Sequence, residues 1–165
     1  MADDETFADV LAANEAYAQQ FPHRGLQARA AEGLAVLTCI DSRIEPLAML
    51  GLDPGDAKIL RNAGARVTSD MLRTLVLASH LLGVDRVMLI AHTDCRMTGT
   101  EEEVHLALRD AGAPGALELD FLVTEDQQET VRDDVELLRS SPYLTHVRVG
   151  GFRYDVETGR LAQLC

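Results

Sequence analysis

Residues 34–43 read LAVLTCIDSR, and the change of character inside that stretch decides the fold. From Leu34 to Ile40 only Thr38 is polar, too continuous for a strand with one wet face and expected of one buried on both faces of a parallel sheet. A cysteine stands at its end, and an aspartate and an arginine follow at 41 and 43. The stretch DRVMLIAHTDC at 85–95 repeats the pattern: it is apolar from Val87 to Ala91 and then runs into His92, Thr93, Asp94 and Cys95. Between them, AKILRNAGA at 57–65 reads as another strand, stopped by an Asn-Ala-Gly turn.

Helical signals fill the intervals. The first 20 residues carry apolar side chains near helical spacing, and a short helix is expected over 44–50 with Gly51 at its end. Ser69 is the expected N-cap of a helix reaching about Leu82 and ended by Gly83. Thr100 with Glu103 forms a capping-box pattern, and Thr124 with Gln127 repeats it before a helix to about Arg139. The closing stretch at 145–164 reads as a strand followed by two short strands around a Glu-Thr-Gly turn. This alternation predicts an α/β fold with a mainly parallel central sheet of about four strands, an added antiparallel edge and helices on both faces. No repeat or linker divides the chain, so residues 1–165 are expected to form one domain.

A net charge of −12 makes nucleic acid and anionic membranes poor partners. No run approaches the roughly 20 apolar residues of a membrane helix. The acidic, amphipathic start is the opposite of a secretory signal, so a cytoplasmic location is expected. Three widely spaced cysteines, Cys39, Cys95 and Cys165, argue against a disulfide framework and leave metal binding, catalysis or burial.

Ligands in open parallel sheets bind at the carboxyl ends of strands where the strand order reverses. Cys39, His92 and Cys95 stand at such ends, and two thiolates with one imidazole suit zinc, leaving a fourth position open. Each alone has a plainer explanation: a core cysteine, a histidine bonded to a carbonyl, a chance His-x-x-Cys. Asp41 and Arg43 alone would be an exposed ion pair worth about 0–1 kcal/mol. Gly64 alone is a tight turn. His23, His80, His105 and His146 lack a motif, and Cys165 is assigned no catalytic part.

Taken together and in order, Cys39-x-Asp41-Ser42-Arg43, RNAGA at 61–65 and His92-x-x-Cys95 resemble the β-class carbonic anhydrases, in particular the small bacterial type. The resemblance runs from about residue 34 to the final hairpin. It implies a four-stranded parallel core with an additional strand, and a homodimer or higher homo-oligomer with the N-terminal helix packing across the dimer. It implies Zn2+ on Cys39, His92 and Cys95, and a catalytic dyad of Asp41 and Arg43. The reaction implied is the reversible hydration of carbon dioxide to bicarbonate and a proton by attack of zinc-bound hydroxide. Two thiolates should acidify the zinc water less than the benchmark of about pKa 7, so an alkaline optimum is expected.

The RNAGA turn is expected to bring Gly64 close to the metal and substrate. Where the family usually has a glycine whose N–H helps hold the substrate, this chain has Arg96. In some relatives the aspartate matching Asp41 closes onto zinc at lower pH, and bicarbonate supports that form at a site including a tryptophan. This chain has no tryptophan, which points to the open form. The rivals are a carbonyl sulfide or carbon disulfide hydrolase on the same scaffold, and a non-catalytic zinc-stabilised protein. A nucleotide-binding domain is set aside because CIDSRIEP offers no glycine-rich phosphate cradle.

Overall fold

The structure is a computed structural model and describes residues 6–165. β1 (Leu34–Cys39) lies inside the sheet and is buried at every position, as its apolar run requires. β2 (Ala57–Asn62), β3 (Arg86–His92) and β4 (Arg148–Tyr154) run parallel to it, and β5 (Leu161–Gln163) returns antiparallel to β4. The spatial order is β2-β1-β3-β4-β5. The chain therefore leaves β1 to one side for β2 and crosses to the other side for β3, so the order reverses between β1 and β3.

The remaining elements are α1 (Ala8–Gln19), α2 (Pro46–Leu50), α3 (Ser69–Leu81), α4 (Glu101–Asp110) and α5 (Gln127–Arg139), with 3-10 turns at Ala63–Ala65 and Pro114–Glu118. On one face of the sheet, Leu37 and Leu89 pack with Leu75 of α3 and Val131, Val135 and Leu138 of α5. Each such side chain contributes about 1.5–3 kcal/mol by leaving water. On the other face Val36 and Ile90 meet Met49 and Leu50 of α2, with Phe152 beside them. A third cluster of Ile44, Cys39 and Cys95, with Met49, Met97 and Tyr154 against it, floors the carboxyl ends of β1 and β3. No residue of α1 is buried. Residues 1–5 of the expected N-terminal helix lie outside the described residues.

Three local expectations are corrected. The N-cap of α3 is Thr68, whose Oγ1 accepts the Met71 N–H, and Ser69 is already helical. Adjacent hydroxyls offer two capping registers, and the extended backbone of Thr68 selects the first. α5 is capped by Asp126, whose carboxylate accepts the N–H groups of Gln128 and Glu129, a stronger acceptor than a hydroxyl. Thr124 instead faces the Thr130 hydroxyl at 2.6 Å. The closing stretch forms two strands, because the first arm of the hairpin is β4 itself. The capping box at Thr100 and Glu103 forms as read.

β4 passes under α5 at Gly151, where a Cβ would lie 2.6 Å from Val131 Cγ1 and 2.8 Å from Cys165 Sγ. Cys165 thus fills a packing role. Gly151→Ala should destabilise the fold by about 1–3 kcal/mol through overpacking, read as a lower urea midpoint at unchanged slope.

Candidate metal centre

β1 delivers Cys39 and β3 delivers His92 at their carboxyl ends, on either side of the reversal in strand order. The tight turn after β3, with Asp94 at φ 53°, folds Cys95 back beside them. One donor atom from each of the three lies within 4.8 Å of the others. Ligand bonds of about 2.0–2.3 Å at tetrahedral angles place donors roughly 3.5–3.8 Å apart, so one ion can bridge the group.

His92 supplies a sharper test. Its Nδ1 sits 2.8 Å from the Thr93 carbonyl, which can only accept, so Nδ1 carries the proton and Nε2 the lone pair. The residue is 1% exposed, and Nε2 is the one buried side-chain nitrogen or oxygen without a hydrogen-bond partner among the described residues. Stranding a buried acceptor costs about 1–3 kcal/mol. A cation between the two sulfurs would satisfy it, and a backbone carbonyl holding the far nitrogen is the usual support of a metal-bound imidazole. The donor set fits a zinc ion.

The two thiols are electrostatically unequal. A hydrogen bond from Cys95 holds Cys39 well below the ordinary thiol range against the opposing effect of burial, with help from His92 and from the Gly64 and Asp41 N–H groups. The same contact, together with burial, pushes Cys95 far up. Both sulfurs bind a metal as thiolates, so an ion held here would release protons from the pair. Burial lowers the His92 pKa, but the Cys39 sulfur more than offsets this and the net direction is upward.

Beside the cluster, Arg43 grips Asp41 with two parallel bonds, Nε to Oδ1 at 3.0 Å and Nη2 to Oδ2 at 2.7 Å. The Arg43 backbone N–H adds a third at 2.9 Å. These bonds hold the Asp41 carboxyl well below the usual carboxylate range. Asp41 Oδ2 lies 4.0 Å from His92 Nδ1. Sequence reasoning gave no part to Asp94, yet its carboxylate takes Arg43 Nη1 at 2.7 Å and its carbonyl takes Nη2 at 3.0 Å. The Arg43 pKa rises accordingly, with Asp41 as the first cause and Asp94 as the second. Asp94 separates the candidate donors His92 and Cys95 in sequence, and that position was the only available hint.

The RNAGA turn closes the back of the site. Asn62 bonds both the N–H and the C=O of Arg66 through its amide, pinning the turn between them. Arg66 is in turn paired with the buried Asp134 of α5 at 2.8 Å. Gly64, at φ 76°, points its N–H at Cys39 Sγ, 3.4 Å away. A Cβ there would lie 3.2 Å from Met97 Cβ, so both conformation and space call for glycine. Arg96 is exposed and lines a small cavity of about 290 Å³ with Asp94, Cys95 and Thr98. A larger cavity, about 730 Å³, opens instead at the far end of the sheet around Gly33 and Asp85 and holds none of these residues.

A family model described as carbonic anhydrase matches residues 34–161, the span that contains every residue of this cluster. The chain belongs to the β-carbonic anhydrase family. It is 34% identical to beta-carbonic anhydrase 1 of Mycobacterium tuberculosis, over 94% of this chain and 96% of that one. The carbonic anhydrase of Streptococcus mutans superposes with a TM-score of 0.88 at 38% identity, covering 96% and 97% of the two chains. A carbon disulfide hydrolase of an Acidianus species is 33% identical over 78% of this chain and 75% of its own. The β-carbonic anhydrase fold is thus present here with its parallel sheet and its antiparallel edge strand.

Proposed function

We propose that this chain catalyses the zinc-dependent, reversible hydration of carbon dioxide, with Cys39, His92 and Cys95 holding the metal and Asp41 and Arg43 as the catalytic dyad. One observation carries the assignment: a buried, tautomer-fixed imidazole nitrogen without a partner sits with two thiols beside an arginine-clamped carboxylate. When bound, zinc would supply a Lewis acid that makes water easier to ionise, less strongly with two thiolate ligands than the benchmark of about pKa 7.

The chain's own residues do the rest. Asp41, kept ionised, can only accept a hydrogen bond, so it takes one from the attacking oxygen and turns the oxygen's lone pair toward the carbon of CO2. Arg43 fixes the carboxylate's direction, and Asp94 fixes Arg43. Ile44, Met97 and Tyr154 offer an apolar surround for an uncharged substrate. The backbone at Gly64 and Arg96 borders the substrate position. Attack converts CO2 and water to bicarbonate, and the proton passes to solvent.

Arg96 brings a positive charge that a glycine would not. Arg96→Gly should weaken inhibition by the product bicarbonate about threefold to fivefold, the effect of an exposed charge pair worth up to about 1 kcal/mol. The kcat/KM for CO2 should stay within about twofold, because only a ground-state complex is affected. Product-inhibition kinetics at fixed ionic strength read both quantities.

The carbon disulfide hydrolase relative makes sulfur substrates the second reading. The fuller coverage of the β-carbonic anhydrase relative favours CO2. Parallel steady-state assays with CO2, carbonyl sulfide and carbon disulfide test the choice: CO2 should give the highest kcat/KM, and a higher value for either sulfur compound would reverse it. A purely structural zinc would need a fourth protein ligand, and Asp41 has both oxygens committed to Arg43.

A single domain over residues 1–165, cytoplasmic and paired as a homodimer, completes the proposal. No helix among the described residues is long and apolar enough to cross a membrane. Phe7, Val10, Leu11 and Tyr17 stand exposed on or beside α1. A groove lined by Leu34, Met88, Gly150 and Phe152 crosses the thinly covered face of the sheet. Packing α1 of one copy over the sheet of another would bury both surfaces. Sedimentation should show a dimer or larger species, and Val10→Asp with Leu11→Asp should shift it toward monomer; a monomeric wild type would contradict the pairing.

A further inference from the structure

β2 contributes a side chain that neither the donor cluster nor the dyad includes. Arg61 turns its guanidinium under the loop that follows β1, where its three nitrogens each find a different carbonyl of that loop. Nε donates to Cys39 O at 2.8 Å, Nη2 to Asp41 O at 2.6 Å and Nη1 to Ile44 O at 3.2 Å. Carbonyls converging on one point repel each other, and the permanently charged planar fork of an arginine holds them together. The candidate ligand Cys39 and the dyad Asp41–Arg43 are therefore carried by one short loop with one cation as its template.

We infer that Arg61 is a positioning residue: its three-carbonyl clip sets the Asp41 carboxylate at a fixed place relative to the Cys39 ligand. A misplacement of about 1 Å at a reacting centre can cost 100-fold, so a loop free to drift would lose rate before it lost substrate. Lysine keeps the charge but lacks the planar fork, and can serve one or two of the carbonyls rather than all three.

The inference rests on the zinc reading, and its test separates the two. Arg61→Lys and Arg61→Ala are prepared zinc-loaded, their folding is checked by circular dichroism, and zinc release to a chromophoric chelator is timed alongside CO2 hydration. Both variants should release zinc about 10- to 100-fold faster than the wild type and lose kcat by a similar factor, the usual cost of removing outer support from a metal site. KM should stay within about twofold. Guanidinium ion at low millimolar concentration should restore part of the kcat of the alanine variant, a rescue that a merely structural role would not give. An Arg61→Lys protein matching the wild type in zinc release and kcat would overturn the inference. Should the alanine variant fail to fold, the lysine variant decides alone by the same two measurements. A wild type inert toward CO2 would sink the proposed function, yet zinc release would still decide for or against Arg61.

Discussion

Asp41→Asn should keep its zinc and lose about 10²- to 10⁴-fold of its CO2 hydration rate, the range for removing a positioned acid–base group. The asparagine amide is neutral and presents donors where the carboxylate presented acceptors, so it no longer reads the orientation of the attacking oxygen. It also costs Arg43 one of its two parallel bonds, since the amide oxygen can still accept one N–H while the NH2 group faces a guanidinium that only donates, and Asp94 then carries more of the grip. The metal should stay because Asp41 is outside the proposed donor group of Cys39, His92 and Cys95. Zinc per chain and kcat measured on one preparation separate these effects. A variant within about threefold of the wild type would remove Asp41 from the catalytic assignment.

Cys95→Ser should have the opposite signature, with zinc and activity lost together. A serine hydroxyl is nearly the size of a thiol but does not ionise in this range, so the site loses one of its two anionic donors while the fold keeps its packing. In the wild type, bound zinc adds about 4 kcal/mol of stability at a thousandfold excess over its Kd. A strong chelator should therefore lower the wild-type Tm and leave that of Cys95→Ser unchanged. Retention of zinc and rate by the serine variant would mean that the ion is held elsewhere.

The fold was legible where burial is continuous. The run from Leu34 to Cys39 could only be a central strand, and its parallel pairing with β2 and β3 followed from helices too long for hairpins. The clustering of Cys39, His92 and Cys95 was legible because each interrupts or follows an apolar run at a strand's end. Capping was read less well: Thr68 and Ser69 are chemically equivalent, and the capping-box pattern at Thr124 matched letters while Asp126 offered the better acceptor. The hairpin was over-divided because β4 pairs on both edges, with β3 and with β5, and no residue marks such sharing.

The support around the site stayed hidden for a related reason. Thr93 fixes the His92 tautomer through a backbone carbonyl, which any residue possesses. Arg61 acts through carbonyls of other residues, and its partners lie 17 to 22 positions away. Asp94 bonds an arginine 51 positions earlier. Spacing rules see neighbours along a strand or helix and miss contacts made by a turn that folds back across the sheet. The clash expected at Gly151 belongs to the same group, since it comes from α5 and the chain's last residue.

The most direct measurement is stopped-flow CO2 hydration at about pH 8.5, on the alkaline side where a thiolate-ligated zinc water should be ionised, with zinc per chain determined on the same sample. Rapid hydration is expected at about one zinc per chain, lost on chelation and restored by added Zn2+. Full zinc occupancy with no turnover of CO2, carbonyl sulfide or carbon disulfide across the alkaline range would contradict it, and the cluster of Cys39, His92 and Cys95 would then be a structural site.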